Sequence, residues 1–240
     1  MTLKHLIFYI IHMDSNLTIS PRKKGKRSAE TADETRRTIL RAAGRLFAAQ
    51  GFGATSLRDI ADSAGTTHGL IRHHFGTKDD LWKAVVDSFI AKVAERQLPL
   101  FENIDDRDPV ALLKDFTRQF MLQTAEMPEI SRLMLNDSGE PGPHLDYLVA
   151  RILPVHELIT PVFERVQNAG YMQQHDPDSF FIFLVMLGSI PFAIAPFTNK
   201  FYSEDITGEA GIETHIDRVL STLFPQTETA PTARTKKETT

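Results

Sequence analysis

Apolar residues recur every three to four positions along most of this chain, and no segment sustains the alternating pattern of a strand. Ile39, Ala43, Leu46 and Phe47 form one stripe on a helix that the spacing predicts to begin near Thr31, where Thr31 and Glu34 stand at capping-box distance. "QGFGAT" breaks it, with Gly51 suited to a helix end and Phe52 turning back to the core. Ser56 and Asp59 open a second, short helix striped by Leu57, Ile60, Ala61 and Ala64 and closed by Gly65. Thr66 and Thr67 cap a third, in which Ile71 and Phe75 face inward before Gly76 ends it; Thr77 and Asp80 open a fourth that reaches about Gln97. Helical patterning resumes over 108–126, 128–136, 143–168, 177–197 and 211–224, interrupted by "SGEPGP", "NAGYMQQHDPD" and "SEDITGEAG". The fold class is all-α.

Two short helices joined by a glycine turn, with a longer helix in front, read as a helix-turn-helix. Charge sharpens that reading. The net charge of −4 is small, but residues 1–83 hold 14 Lys/Arg against 8 Asp/Glu while 84–240 hold 13 against 23. A basic front suits a polyanion. On the third helix, Ile71 and Phe75 set the buried side, so Gly69, Arg72 and His73 point outward with His68 and Leu70 on the flanks and His74 near the boundary. Glycine permits close approach, Arg72 can take a phosphate or fork onto guanine, and imidazoles can donate to phosphate oxygens. Thr66 and Thr67, with the free amides of the helix start, favour phosphate, and Lys78 can add a further charge. Metal binding by His73 and His74 is disfavoured because adjacent helical residues diverge by about 100°; solvated surface is the plain alternative. The basic arm "PRKKGKR", with Arg22, Lys23, Lys24, Lys26 and Arg27, fits a DNA-tracking extension or a solubilising tail.

The stretch "ILRAAGRLFAAQGFGATSLRDIADSAGTTHGLIRHHFGTKDDLW" resembles the DNA-binding domain of TetR-family transcriptional regulators, from about Glu34 to Val85. The resemblance implies a helix-turn-helix over 57–76 with 67–74 as the recognition helix. It implies phosphate contacts from Ser56, Thr67, His74 and Lys78, and base-proximal positions for Arg58, His68, Gly69 and Leu70. Many family members have tyrosine where this chain has Arg72, which leaves base and phosphate both open for that residue. The implied organisation is a disordered basic extension (1–30), the helix-turn-helix domain (31–80), a helical effector-binding and dimerisation domain (81–225) and a disordered tail (226–240).

Residues 179–198, "SFFIFLVMLGSIPFAIAPFT", carry no charge. Gly188, Ser189, Pro191 and Pro196 interrupt the run and no basic cluster flanks it, so a partner subunit is the expected cover rather than a membrane. By resemblance the chain forms a homodimer through about 179–197 and 211–224, reading a palindromic operator in double-stranded DNA. The middle helices would form a chamber for a small apolar effector, with Phe116, Phe120, Met121, Met134 and Leu135 as bulk and Arg151 and His156 as polar anchors; each is also an ordinary core candidate. A regulator without an effector is the alternative. Cysteine is absent, which excludes disulfides and thiolate chemistry and fits a reducing cytoplasm. No Gly-x-Ser-x-Gly, His-Glu-x-x-His or phosphate-loop pattern suggests an enzyme, and no cofactor or metal is expected. The apolar "LIFYII" at 6–11 lacks a cleavage site, so the first dozen residues are expected to be either disordered or the product of an upstream start, with Met13 then the initiator.

Overall fold

The computed structural model describes residues 26–102 and 104–225. Among them there is no strand. The helices are α1 (Lys26–Ala54), α2 (Leu57–Ala64), α3 (His68–Phe75), α4 (Lys78–Gln97), α5 (Pro109–Glu126), α6 (Pro128–Asp137), α7 (Pro143–Asn168), α8 (Pro177–Ala193), a single turn α9 (Ala195–Thr198) and α10 (Glu209–Leu223), with two 3₁₀ turns between α4 and α5. Helix α1 begins at Lys26, earlier than Thr31: nothing in "KRSAETADE" stops the helix, so the Thr31–Glu34 spacing does not mark its start. Lys26 and Arg27 thus belong to its first turn, and Arg22, Lys23 and Lys24 lie outside the described residues. The long helix breaks at Gly51 (φ 79°, ψ 167°), and one further turn runs to Ala54.

The first four helices share one apolar cluster. Ile39, Ala43 and Phe47 of α1, Ile60 and Ala61 of α2, Ile71 and Phe75 of α3, and Leu81, Trp82 and Val85 of α4 are buried together. Helices α2 and α3 have only eight residues each, too few for stability alone in water. Burial of Ile60, Ile71 and Phe75, worth about 1.5–3 kcal/mol apiece, holds them. Local chemistry then fixes their ends. Ser56 and Thr77 each form a full capping box, with Asp59 and Asp80, and Thr67 Oγ1 accepts from Leu70 N at 3.2 Å. Gly65 closes α2 in the left-handed region (φ 61°, ψ 37°), with its N–H on the Ala61 and Asp62 carbonyls, a conformation that costs a side-chain-bearing residue.

Helices α5, α7, α8 and α10 enclose a second cluster built on Phe116, Met121, Phe163, Phe180, Phe192 and Val219. Helices α5 and α8 cross closely at Gly188, where a Cβ would lie 3.1 Å from Met121 Cγ. The expected single helix over 177–197 is instead broken. Pro191 supplies no amide hydrogen, so the Leu187 carbonyl loses its helical donor, and the chain turns at Ile194 (φ −109°, ψ 32°). His215 Nε2 of α10 donates to that Leu187 carbonyl at 2.8 Å. Thr198 Oγ1 donates to Pro191 O at 2.9 Å, and Arg132 Nε to Ala193 O at 2.7 Å. Other helices thus satisfy what the kink leaves open.

The two clusters meet along α4. Trp82, fully buried, donates from Nε1 to Asp137 Oδ2 at 3.2 Å and stacks on His144 with ring centres 4.0 Å apart. His144 Nε2 donates to Asp79 Oδ1 at 2.9 Å. One turn further along α7, Tyr147 and Arg151 both hold Asp87 of α4, the arginine Nε at 2.6 Å. Asn136 Nδ2 bonds the Phe47 and Ala48 carbonyls, each at 3.2 Å, tying α6 to α1. No helix among the described residues is long and apolar enough to cross a membrane.

Candidate nucleic-acid interface

The α2–turn–α3 unit presents one continuous outer face. Ser56, Arg58, Thr67, His68, Gly69, Leu70, Arg72 and His73 are exposed, while Thr66, His74 and Lys78 are half-buried. Arg58 and Arg72 have no carboxylate partner among the described residues. A cation left unpaired on the surface keeps its full hydrogen-bonding capacity for an anion from outside. Arg72 also occupies the last turn of α3, where its positive charge complements the helix dipole. A Cβ at Gly69 would meet nothing within 4 Å, so the helix surface there is open to close approach.

Ser56, Arg58, His68 and Lys78 line one notch together with the backbone of 53–55. Three elements converge there: the start of α2, the first residue of α3 and the first residue of α4. The hydroxyls differ in readiness. Ser56 Oγ donates to Asp59 Oδ2 at 2.7 Å, so its proton is already committed. Thr67 Oγ1 only accepts, from Leu70 N, which leaves its proton for a phosphate oxygen. Lys78 differs from the expectation of a charge simply offered to a duplex. Its Nζ donates to Phe52 O at 2.9 Å and Thr55 O at 3.0 Å and lies 4.1 Å from the Phe52 ring centre. An ammonium has three donors, so one remains for an outside anion while two staple the loop between α1 and α2.

A separate cavity of about 80 Å³ lies between α4, α5, α6, α7 and α8. Phe89, Phe116, Phe120, Met134 and Phe181 give it an apolar wall. Four expected lining residues are elsewhere. Met121 packs wholly in the core, Leu135 faces solvent, Arg151 is drawn to Asp87, and His156 Nε2 stands 2.9 Å from Asp178 Oδ1. Each of these two polar side chains turned to a carboxylate distant in sequence, which helical spacing could not reveal. Phe89 and Phe181 carry no local signal that sets them apart from core phenylalanines. The Trp82–Asp137–His144 junction likewise joins residues remote in sequence; the one clue to it is the single tryptophan.

Taken together, the fold and this face define an all-helical protein with an N-terminal helix-turn-helix and a larger helical body. Residues 39–85 match the family model described as bacterial regulatory proteins, tetR family. The HTH-type transcriptional regulator TtgR of Pseudomonas putida is 36% identical over 94 residues, which cover 39% of this chain and 44% of that protein. AcrR of Shigella flexneri is 33% identical over 110 residues, 46% of this chain and 50% of the relative. The match therefore spans half or less of these curated relatives. Among solved structures, HlyIIR, a hemolysin II transcriptional regulator, superimposes with a TM-score of 0.62 at 19% identity over 81% of this chain and 99% of that one. AibR, solved with isovaleryl coenzyme A and operator DNA, gives 0.63 at 21% identity over 80% and 98%. At such identities the likeness establishes the fold.

Proposed function

We propose that this chain is a sequence-specific DNA-binding transcriptional regulator, a homodimeric repressor that a small apolar ligand releases from a palindromic operator. The observation that carries the reading is the outer face of α3, where unpaired Arg72 stands beside His68, Gly69 and Leu70 above the notch of Ser56, Arg58 and Lys78. In this reading α3 enters the major groove, Ser56, Thr67, His74 and Lys78 grip phosphates, and Arg58, His68, Gly69 and Leu70 approach bases. The arm residues Arg22, Lys23, Lys24, Lys26 and Arg27 track the duplex alongside. The DNA-binding domain spans 31–80 and the effector-binding and dimerisation domain 81–225.

The dimer is supported by Ile182, Phe183, Met186 and Leu187 on α8 and by Phe197 and Phe201 beyond it, all exposed. Such a patch on one chain calls for a partner surface. The exposed side of α10, with Asp217, Arg218, Ser221 and Thr222, is polar and would form the rim. The operator-bound structure of AibR supports the DNA reading by its fold. A regulator that answers to a protein partner instead of a small molecule is the second reading. The observation favouring it is the cavity of about 80 Å³, well below the roughly 300–1,000 Å³ of ordinary ligand sites. An effector has to enlarge that space.

Selection of bound duplexes from random DNA tests the function. The expected result is a two-fold symmetric site whose halves lie about one helical turn, or a multiple of it, apart. Failure to enrich any sequence, even at low salt, would overturn the proposal.

A further inference from the structure

A groove on the other side of α1 has a composition that neither the helix-turn-helix nor the inner cavity explains. Arg37, Arg41 and Arg45 succeed one another at single-turn spacing along α1, and Lys92 of α4 joins them. Its floor is Leu40, Val85 and Phe89, and Met127 closes the end between α5 and α6. With a volume of about 460 Å³ it falls within the roughly 300–1,000 Å³ range of ligand sites, which the inner cavity does not.

The charges are not internally satisfied. Arg37 is paired with Asp33. Arg41 donates only to Thr38 Oγ1, at 3.2 Å, and neither Arg45 nor Lys92 is ion-paired among the described residues. Glu34 and Glu129 are the carboxylates in the same lining, leaving four cations against two anions. Arg41 and Arg45 are exposed and one turn apart, so their planar guanidinium groups can both fork onto one carboxylate. Beside them, Leu40 and the Phe89 ring form the apolar part of the lining, with the Lys92 ammonium 5.9 Å from the Phe89 ring centre.

From this arrangement we infer that the groove between α1, α4 and the start of α6 binds an amphipathic carboxylate, with its head on Arg41 and Arg45 and its hydrocarbon tail along Leu40, Val85 and Phe89. A neutral amphiphile lacks the head contact, and a short hydrophilic anion lacks the tail contact. The site is independent of whether the protein binds DNA, and an occupant touches helices of both apolar clusters at once.

Titration calorimetry of the full chain with decanoate, decanol and acetate tests it. Decanoate binds saturably, at least tenfold more tightly than either other probe, and weakens as salt rises. The double variant Arg41→Gln/Arg45→Gln loses at least tenfold in decanoate affinity. Both side chains are exposed, so its helical circular dichroism and melting temperature stay those of the parent. Val155→Phe, which fills the inner cavity, leaves decanoate affinity unchanged. Equal binding by parent and double variant, loss of binding in Val155→Phe alone, or no preference for decanoate would each overturn the inference.

Discussion

Arg72 carries the sharpest question at the scale of single side chains. It is exposed, unpaired and set on the same outer face as Gly69 and His73. If it forks onto a guanine, Arg72→Ala weakens operator binding by about 1–3 kcal/mol and relaxes preference at one base per half-site. Binding assays over a set of single-base operator variants distinguish this from a phosphate contact, for which all sequences weaken alike. Lys78 shows how a residue of the right type can divide its work: two of its protons hold the Phe52 and Thr55 carbonyls before any partner arrives. A change at Lys78 therefore disturbs the loop ahead of α2 as well as any contact with a polyanion. The same division explains what sequence could disclose of the site. Which residues face outward on α3 follows from Ile71 and Phe75 alone. Whether a given cation or hydroxyl is already engaged depends on carbonyls and carboxylates supplied by other turns.

Among the helices, most boundaries were legible because polar residues mark them. Ser56 with Asp59 and Thr77 with Asp80 start α2 and α4, and Gly65 and Gly76 end α2 and α3. The first residue of α1 was not, since helix-forming residues precede Thr31 without a stop. How helices pair was less legible still, because apolar stripes are interchangeable: Met121 and Leu135 look alike in sequence, yet one is in the core and the other in water. The junction of α4, α6 and α7 has a measurable consequence. Burial pushes the Asp137 carboxyl above its ordinary value, with Trp82 and His144 pulling the other way. The folded chain therefore holds this proton more tightly than the unfolded chain does. Its contribution to stability falls as pH rises from the usual carboxylate value through the raised one, and is level above. Asp137→Asn keeps an acceptor for the Trp82 N–H and carries no charge. In denaturant titrations across about pH 3.5–7 the variant should lack this part of the fall; parallel profiles would refute it.

For the molecule as a whole, the exposed apolar row on α8 is the surface on which the proposed dimer rests. Met186 is 47% exposed in the middle of that row. Met186→Glu places a charge where two copies would meet, and sedimentation should show a monomer where the parent chain is a dimer. Operator binding by the variant should then drop steeply at low protein concentration, because one head alone makes few base contacts. If both proteins sediment as dimers, another surface joins the subunits. The break in α8 gives this face its shape. Ile182, Phe183 and Met186 lie before Pro191, whereas Phe197 and Phe201 lie after the turn at Ile194. The two halves of the patch are thus separated by the turn at Ile194, which lies between Pro191 and Pro196 and around which His215, Thr198 and Arg132 satisfy the open carbonyls. A straight α8 would meet its twin at a different tilt, and two reading heads carried on such bodies would be spaced for a different stretch of duplex. The register of recognition would in that sense be written by a turn between two prolines, far from any base.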